Sequence, residues 1–293
     1  MADVLLVILV PIVAAMALGY AWVRSGRPFD NATLAPLAAD LALPCLIFST
    51  LASTQMPIEA LAEMAGAALV ALLAFAAVGA VLLRGAGLSL RTYLPSVTWG
   101  NSGYLGVPLG FYAFGASGLA YAAAFSAVSL MFNSVFAGAV AAGQASLRAV
   151  LRNPLVWAVS AGAAVRIAGI EVPRAILEPV KLVGGLAIPL TLMMVGASLA
   201  RLKVGALRLP LTFSVLRTGI GVALALAVAA LFGMEGTGRF VLVLQCAMPV
   251  GMLSYVLAQR FGNEPETIAG IIVVSTWMSV VSIPAMLSVM VVG

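Results

Sequence analysis

The residues best suited to chemistry lie inside an apolar stretch where no continuous helix should hold them: Gly100-Asn101-Ser102-Gly103-Tyr104-Leu105-Gly106-Val107-Pro108. An interior Gly costs a helix about 1 kcal/mol relative to Ala and a Pro about 3. Unpaired backbone in hydrocarbon costs several more, so such a run persists only where protein or a watered cavity covers it. A second interruption, Cys246-Ala247-Met248-Pro249-Val250-Gly251, falls in a later apolar stretch. A helix that breaks and resumes near the membrane midplane presents a new N-terminus, with free N–H groups and about half a positive charge. Two such ends converging would form an anion site, and Asn101 and Ser102 add side-chain hydrogen-bonding groups. Pro108 and Pro249 are each expected in the first turn of the resumed helix, where a missing N–H is harmless. The expected ligand is a small organic anion, held without cofactor or metal.

Other polar residues within apolar segments carry weaker signals. Asp40 and Arg217 each lie about two turns inside a span, and intramembrane charges are functional candidates by default. Snorkelling of Arg217 and a watered vestibule at Asp40 are the plainer accounts, and pairing of the two is open. Ser126, Ser129 and Asn133 recur at helical spacing on one face, as do Ser275, Thr276, Ser279 and Ser282. Such stripes read as close-packing faces, with Asn133 the member placed at a substrate site because a buried carboxamide is the costlier group. Pro44 and Pro189 read as kinks.

The elements that must position these residues follow from composition. Of 293 residues, 63% are hydrophobic and 9% charged, with mean hydropathy +1.16, and apolar runs near the roughly 20 residues of a helical span recur along the chain. This composition indicates a polytopic helical membrane protein. The net charge of +5 is spread singly through short loops, so it reads as a topology signal and not as a nucleic-acid surface. There is no histidine, and Cys45 and Cys246 both lie in apolar helices, which argues against a metal pair, a disulfide framework or a histidine proton relay. The start, Met1-Ala2-Asp3-Val4, lacks a basic n-region and is expected to be a retained span.

Ten spans are expected, near 3–23, 33–53, 61–83, 92–113, 117–141, 154–170, 176–200, 209–232, 238–260 and 266–290. With both termini outside, the inner loops hold Arg24, Arg27, Arg84, Arg91, Arg148, Arg152, Arg201, Lys203, Arg208 and Arg260. The outer loops then hold only Arg166, Arg174, Lys181 and Arg239, as the positive-inside rule requires. Pro11 and Pro154 are 143 apart, Pro44 and Pro189 145, and Pro108 and Pro249 141. Those offsets map spans 1, 2 and 4 onto 6, 7 and 9. Two five-span halves, 1–145 and 146–293, joined by the polar linker Gly143–Asn153, would then have opposite orientation, and paired broken helices in inverted halves point to a transporter's binding site.

On these residues the chain resembles the auxin efflux carrier family, over essentially its whole length. Asn101-Ser102-Gly103-Tyr104-Leu105-Gly106-Val107-Pro108-Leu109 is similar to the family's first crossover motif. Ala247-Met248-Pro249-Val250-Gly251 with Tyr255-Val256 and Ala258 is similar to its second. Arg152-Asn153-Pro154, Leu43-Pro44 with Phe48-Ser49, and Arg217-Thr218-Gly219 also match family positions. The resemblance implies an all-α membrane fold of two inverted five-helix repeats with helices 4 and 9 broken and crossed, as in sodium/bile-acid symporters. It implies a scaffold of spans 1, 2, 6 and 7, and a moving transport domain of spans 3–5 and 8–10. It also implies that Asn101 contacts a substrate carboxylate. Gly100 stands where plant members carry proline, and their long cytoplasmic loop is missing, which favours the bacterial branch and its inner membrane.

The expected function is secondary transport of small organic anions, mono- or dicarboxylates such as malonate or malate. The expected site comprises Asn101, Ser102, Gly103, Pro108, Met248, Pro249, Val250, Gly251, Asn133 and Ser49, with Arg217 and Asp40 as charge or coupling residues. Coupling to Na+ or H+, or potential-driven uniport, stays open, as does a homodimer through the scaffold. A bile-acid-type sodium symporter and a non-transporting anion sensor are the alternatives. No His-Glu metal motif or activated serine pair points to an enzyme.

Overall fold

The computed structural model describes residues 2–142, 154–201 and 208–292. The linker Gly143–Asn153, with Arg148, Arg152 and the boundary between the halves, lies outside the described residues, as does Lys203. Among the described residues the secondary structure is helical, with no β-strand. Among the described residues, six helical stretches are long and apolar enough to cross a bilayer: Thr33–Ser53, Ile58–Gly85, Ser102–Asn133, Arg174–Ala200, Arg208–Phe232 and Pro265–Met290. Val10–Arg24 and Pro154–Ile167 are shorter apolar helices.

In chain order the elements are α1 (Ala2–Arg24), α2 (Asn31–Pro36), a π-helical turn at Leu37–Ala42, and α3 (Leu43–Ser53). Next come α4 (Ile58–Gly85), α5 (Leu90–Thr98), a second π-helical turn at Ser102–Gly106, and α6 (Val107–Ala142). They are followed by α7 (Pro154–Ile167), α8 (Arg174–Gly184), α9 (Ala187–Arg201), α10 (Arg208–Phe232), α11 (Gly236–Cys246), α12 (Leu253–Phe261) and α13 (Pro265–Val292). Pro44 and Pro189 both fall in the first turn of a helix that follows an irregular turn, where proline's missing donor is least costly.

Although α6 runs for 36 residues, it is not one rod. Gly115 takes φ 63°, ψ −147°, a conformation open to glycine. In a straight helix Gly110 and Gly118 would be about 12 Å apart. Instead, a Cβ placed on either would strike the other's carbonyl oxygen. The chain therefore folds back at Gly115, which gives a physical cause for the break expected between residues 113 and 117.

Small residues set the tightest helix contacts, as expected where apolar driving force between helices is weak. Helix α1 packs against α9, with Gly19 on the Met193 backbone and Gly196 on the Met16 backbone. Helix α7 packs against α3, with Gly162 on Leu51 and the Phe48 carbonyl, and α8 lies against α3 through Gly184 on Leu46. The offsets of 143 and 145 seen in the prolines carry the contact Gly19–Met193 onto Gly162–Phe48. Helices α4, α5, α6 and α10–α13 pack mainly on one another. Gly79 meets Val97 and Leu94, and Gly221 sits on the Cys246 backbone beside Phe75.

Candidate functional site

Helices α5 and α11 both stop short, and the segments that follow them meet in a crossover. Gly100 and Val250 face each other in an antiparallel bridge, in which Asn101 N–H donates to the Pro249 carbonyl (2.7 Å) and Gly251 N–H to the Trp99 carbonyl (2.8 Å). Val250 N–H donates to Ser275 Oγ (3.2 Å), which itself donates to the Ile272 carbonyl (3.0 Å). Ser275 thus supports the crossover, a role that its place in a serine stripe did not reveal. Each strand of the cross pairs polar backbone that a membrane interior would otherwise leave unpaired.

The local two-fold of this bridge relates Asn101 to Gly251 and Trp99 to Pro249, an offset of 150 residues. The spacing of 141 between Pro108 and Pro249 is therefore not the correspondence at the crossover. Nor does either proline open the resumed helix. The Asn101 carbonyl accepts from Leu105 N–H (3.1 Å) and Gly106 N–H (3.0 Å), so the first helix resumes as the π-helical turn at Ser102. Val107 N–H reaches back to the Ser102 carbonyl, and Pro108 follows as the second residue of α6, buried. Pro249 lies in the extended link ahead of α12, which starts at Leu253.

The free end of the resumed helix is thus Ser102-Gly103-Tyr104, whose N–H groups have no acceptor among the described residues. These three residues line a cavity of about 200 Å³ together with Asn101, Gly100, Asp40, Ser126 and Gly251. A second cavity, of about 150 Å³, is lined by Asn101, Tyr104, Thr191, Val250, Met252 and Thr276 among others. Asn101 borders both, is 9% exposed, and its carboxamide has no side-chain hydrogen bond among the described residues. A free amide at the mouth of a helix N-terminus can donate to a carboxylate oxygen without first breaking a protein bond. Ser126 Oγ is also buried without a partner among the described residues.

Arg217 is 3% exposed and does not snorkel. Its Nε donates to the Ser96 carbonyl (3.2 Å) and its Nη1 to the Met248 carbonyl. Its guanidinium lies over the Phe75 ring, 5.5 Å from the centroid. Asp40 is exposed in the first π-helical turn and faces the 200 Å³ cavity, so the two charges do not pair. Among the described residues the ion pair is Lys181–Glu178.

Ser49, Asn133, Met248, Pro249 and Pro108 line neither cavity at the crossover. Met248 is fully buried and contributes its carbonyl to Arg217. The Asn133 amide donates to Ser129 one turn earlier (2.7 Å to the carbonyl), so it bonds back onto its own helix, and its Oδ1 has no partner among the described residues. Gln245 is 1% exposed with neither end of its carboxamide bonded among the described residues, and it abuts Gly106.

Ser49 belongs to a third cavity, lined by Leu46, Ser49, Thr50, Ser53, Thr54, Tyr112, Lys181 and Ile188 among others. Adding 145 to its five α3-side residues gives Thr191, Met194, Val195, Ser198 and Leu199, and all five line the 150 Å³ cavity. The two grooves are thus made by positions 145 residues apart, one against the crossover and the other against the Gly115 hairpin. A buried apolar cluster of Ile12, Leu105, Leu109, Leu192, Leu244, Met248, Ile283 and Leu287 extends from the crossover to Tyr112 and Ile188 of the third cavity.

The sequence profile of a family described as membrane transport protein matches this chain over residues 4–145 and 139–287. A protein of Methanothermobacter thermautotrophicus described as an uncharacterized transporter is 27% identical over 271 residues, covering 87% of this chain and 87% of its own.

Proposed function

The chain belongs to the membrane transport protein family, of the auxin efflux carrier type, and from that premise we propose that it moves small organic anions, mono- or dicarboxylates, by alternating access. The observation that carries the reading is the crossover: an unpartnered Asn101 carboxamide beside the free N–H groups of Ser102, Gly103 and Tyr104, all facing one cavity. A carboxylate there would accept from both kinds of donor and meet the positive end of the resumed helix. Tyr104, Thr191 and Thr276 would line its approach.

In this reading ten spans form two inverted repeats, with both termini outside. Helices α1, α2–α3 and α7–α9 make the scaffold, and α4–α6 with α10–α13 make the moving body. The transfer of the Gly19–Met193 contact onto Gly162–Phe48 supports the repeat. The matched grooves support alternating access: Thr191–Leu199 would serve the cytoplasmic face now facing the crossover, and Leu46–Thr54 the outer face in the opposite state. The test is uptake of labelled malonate, malate and monocarboxylates into proteoliposomes, against protein-free vesicles. Saturable uptake of one acid class is expected. Binding without flux would replace the carrier by a sensor.

A further inference from the structure

The carbonyls that hold Arg217 have a common origin. Ser96 is in the last turn of α5, and Met248 lies just beyond the end of α11. Both belong to helix C-termini that stop at the crossover, where carbonyls lack intrahelical donors and each end carries about half a negative charge. Together the two ends amount to roughly one negative charge, and a single guanidinium matches it. A Cβ on Gly100 would lie 2.6 Å from Arg217 Nη2, so the cation also abuts the bridge that carries Asn101. Among the described residues no carboxylate pairs with Arg217, and its guanidinium also lies over the face of Phe75, an arrangement that favours a cation. The negative poles of the cross are therefore neutralised from within, and the positive poles at Ser102–Tyr104 are left for the ligand.

We propose that Arg217 is a resident cation standing where carbonyl oxygens from both broken helices converge, so that anion binding at the crossover requires no inorganic coupling cation. The proposal rests on the organic-anion reading above and specifies its coupling. Arg217 is a positioning residue, acting on the ligand through the crossover backbone and through its charge. Without it the carbonyl ends would face one another unneutralised, and a small cation could settle between them.

The experiment has two arms. The first, with no organic acid present, measures thermal unfolding of wild type, Arg217→Ala and Arg217→Lys in detergent, at equal ionic strength of Na+, K+, guanidinium or N-methyl-D-glucamine chloride at millimolar concentration. Wild type and Arg217→Lys are expected to show no preference among the cations. Arg217→Ala is expected to unfold earlier in N-methyl-D-glucamine and to recover in Na+ or guanidinium. The second arm measures malonate uptake in the same salts. Wild-type uptake is expected to be unchanged when N-methyl-D-glucamine replaces Na+. Arg217→Ala is expected to be about tenfold or more slower without a small cation and to be rescued by one. Wild-type stability or uptake that rises with Na+ would overturn the proposal, as would an Arg217→Ala protein indifferent to every cation. Should Arg217→Ala fail to fold, wild type and Arg217→Lys decide, since a Na+ requirement in either contradicts a resident cation. Because the first arm contains no organic acid, absence of malonate uptake counts against the substrate reading and leaves the cation result standing.

Discussion

At the residue scale, the polar groups near the crossover separate into those with partners and those without. Arg217, Ser275 and the bridge backbone are bonded, and they hold the cross in shape. Asn101 is free and lines both central cavities, which is the disposition of a ligand contact. Gln245 is buried with its whole carboxamide unpaired among the described residues, and it lines neither cavity. Such a group costs about 1–3 kcal/mol. Gln245→Met, close in volume, is accordingly expected to raise the unfolding temperature in detergent; a lower one would show that the amide has a partner that matters. Asn101 was legible in the sequence because a polar side chain amid glycines in an apolar run has few structural excuses. The roles of Ser275, Gln245 and Arg217 were not, because each depends on which distant backbone atom the fold brings alongside. Ser49 lies in the third cavity and not at the crossover, because its motif marks the helix and its face on that helix is set by packing.

At the element scale, most helix positions follow from apolar length, and the breaks follow from glycine and proline. The exact restart of a broken helix does not, since a π-helical turn begins it at Ser102 without help from Pro108. The proline offsets were informative for the paired outer helices and misleading at the cross, where the bridge sets its own correspondence. Glycines fix the closest helix pair. On Gly196 a Cβ would run into the Met16 carbonyl, so Gly196→Val must push α9 off α1. Overpacking of this kind costs about 1–3 kcal/mol, and a lowered unfolding temperature is expected, whereas unchanged stability would mean that α1 and α9 separate freely.

At the scale of the whole molecule, the five-position match between the Leu46–Thr54 and Thr191–Leu199 grooves makes alternating access a statement about named surfaces. Cysteine placed singly at Thr50 or Val195, in a background with Cys45 and Cys246 replaced by alanine, should react with impermeant thiol reagents from opposite sides of the membrane. Ligand-driven change should move the two reactivities in opposite directions. Reaction of both from one side would break the account of two opposed halves. The most direct measurement of the central claim is malonate uptake into proteoliposomes by wild type and Asn101→Ala, matched for folded protein by size-exclusion profile. The account predicts saturable uptake by wild type and none above protein-free vesicles for Asn101→Ala, with both proteins monodisperse. Equal uptake by the two would show that the crossover is architecture and that the anion binds elsewhere.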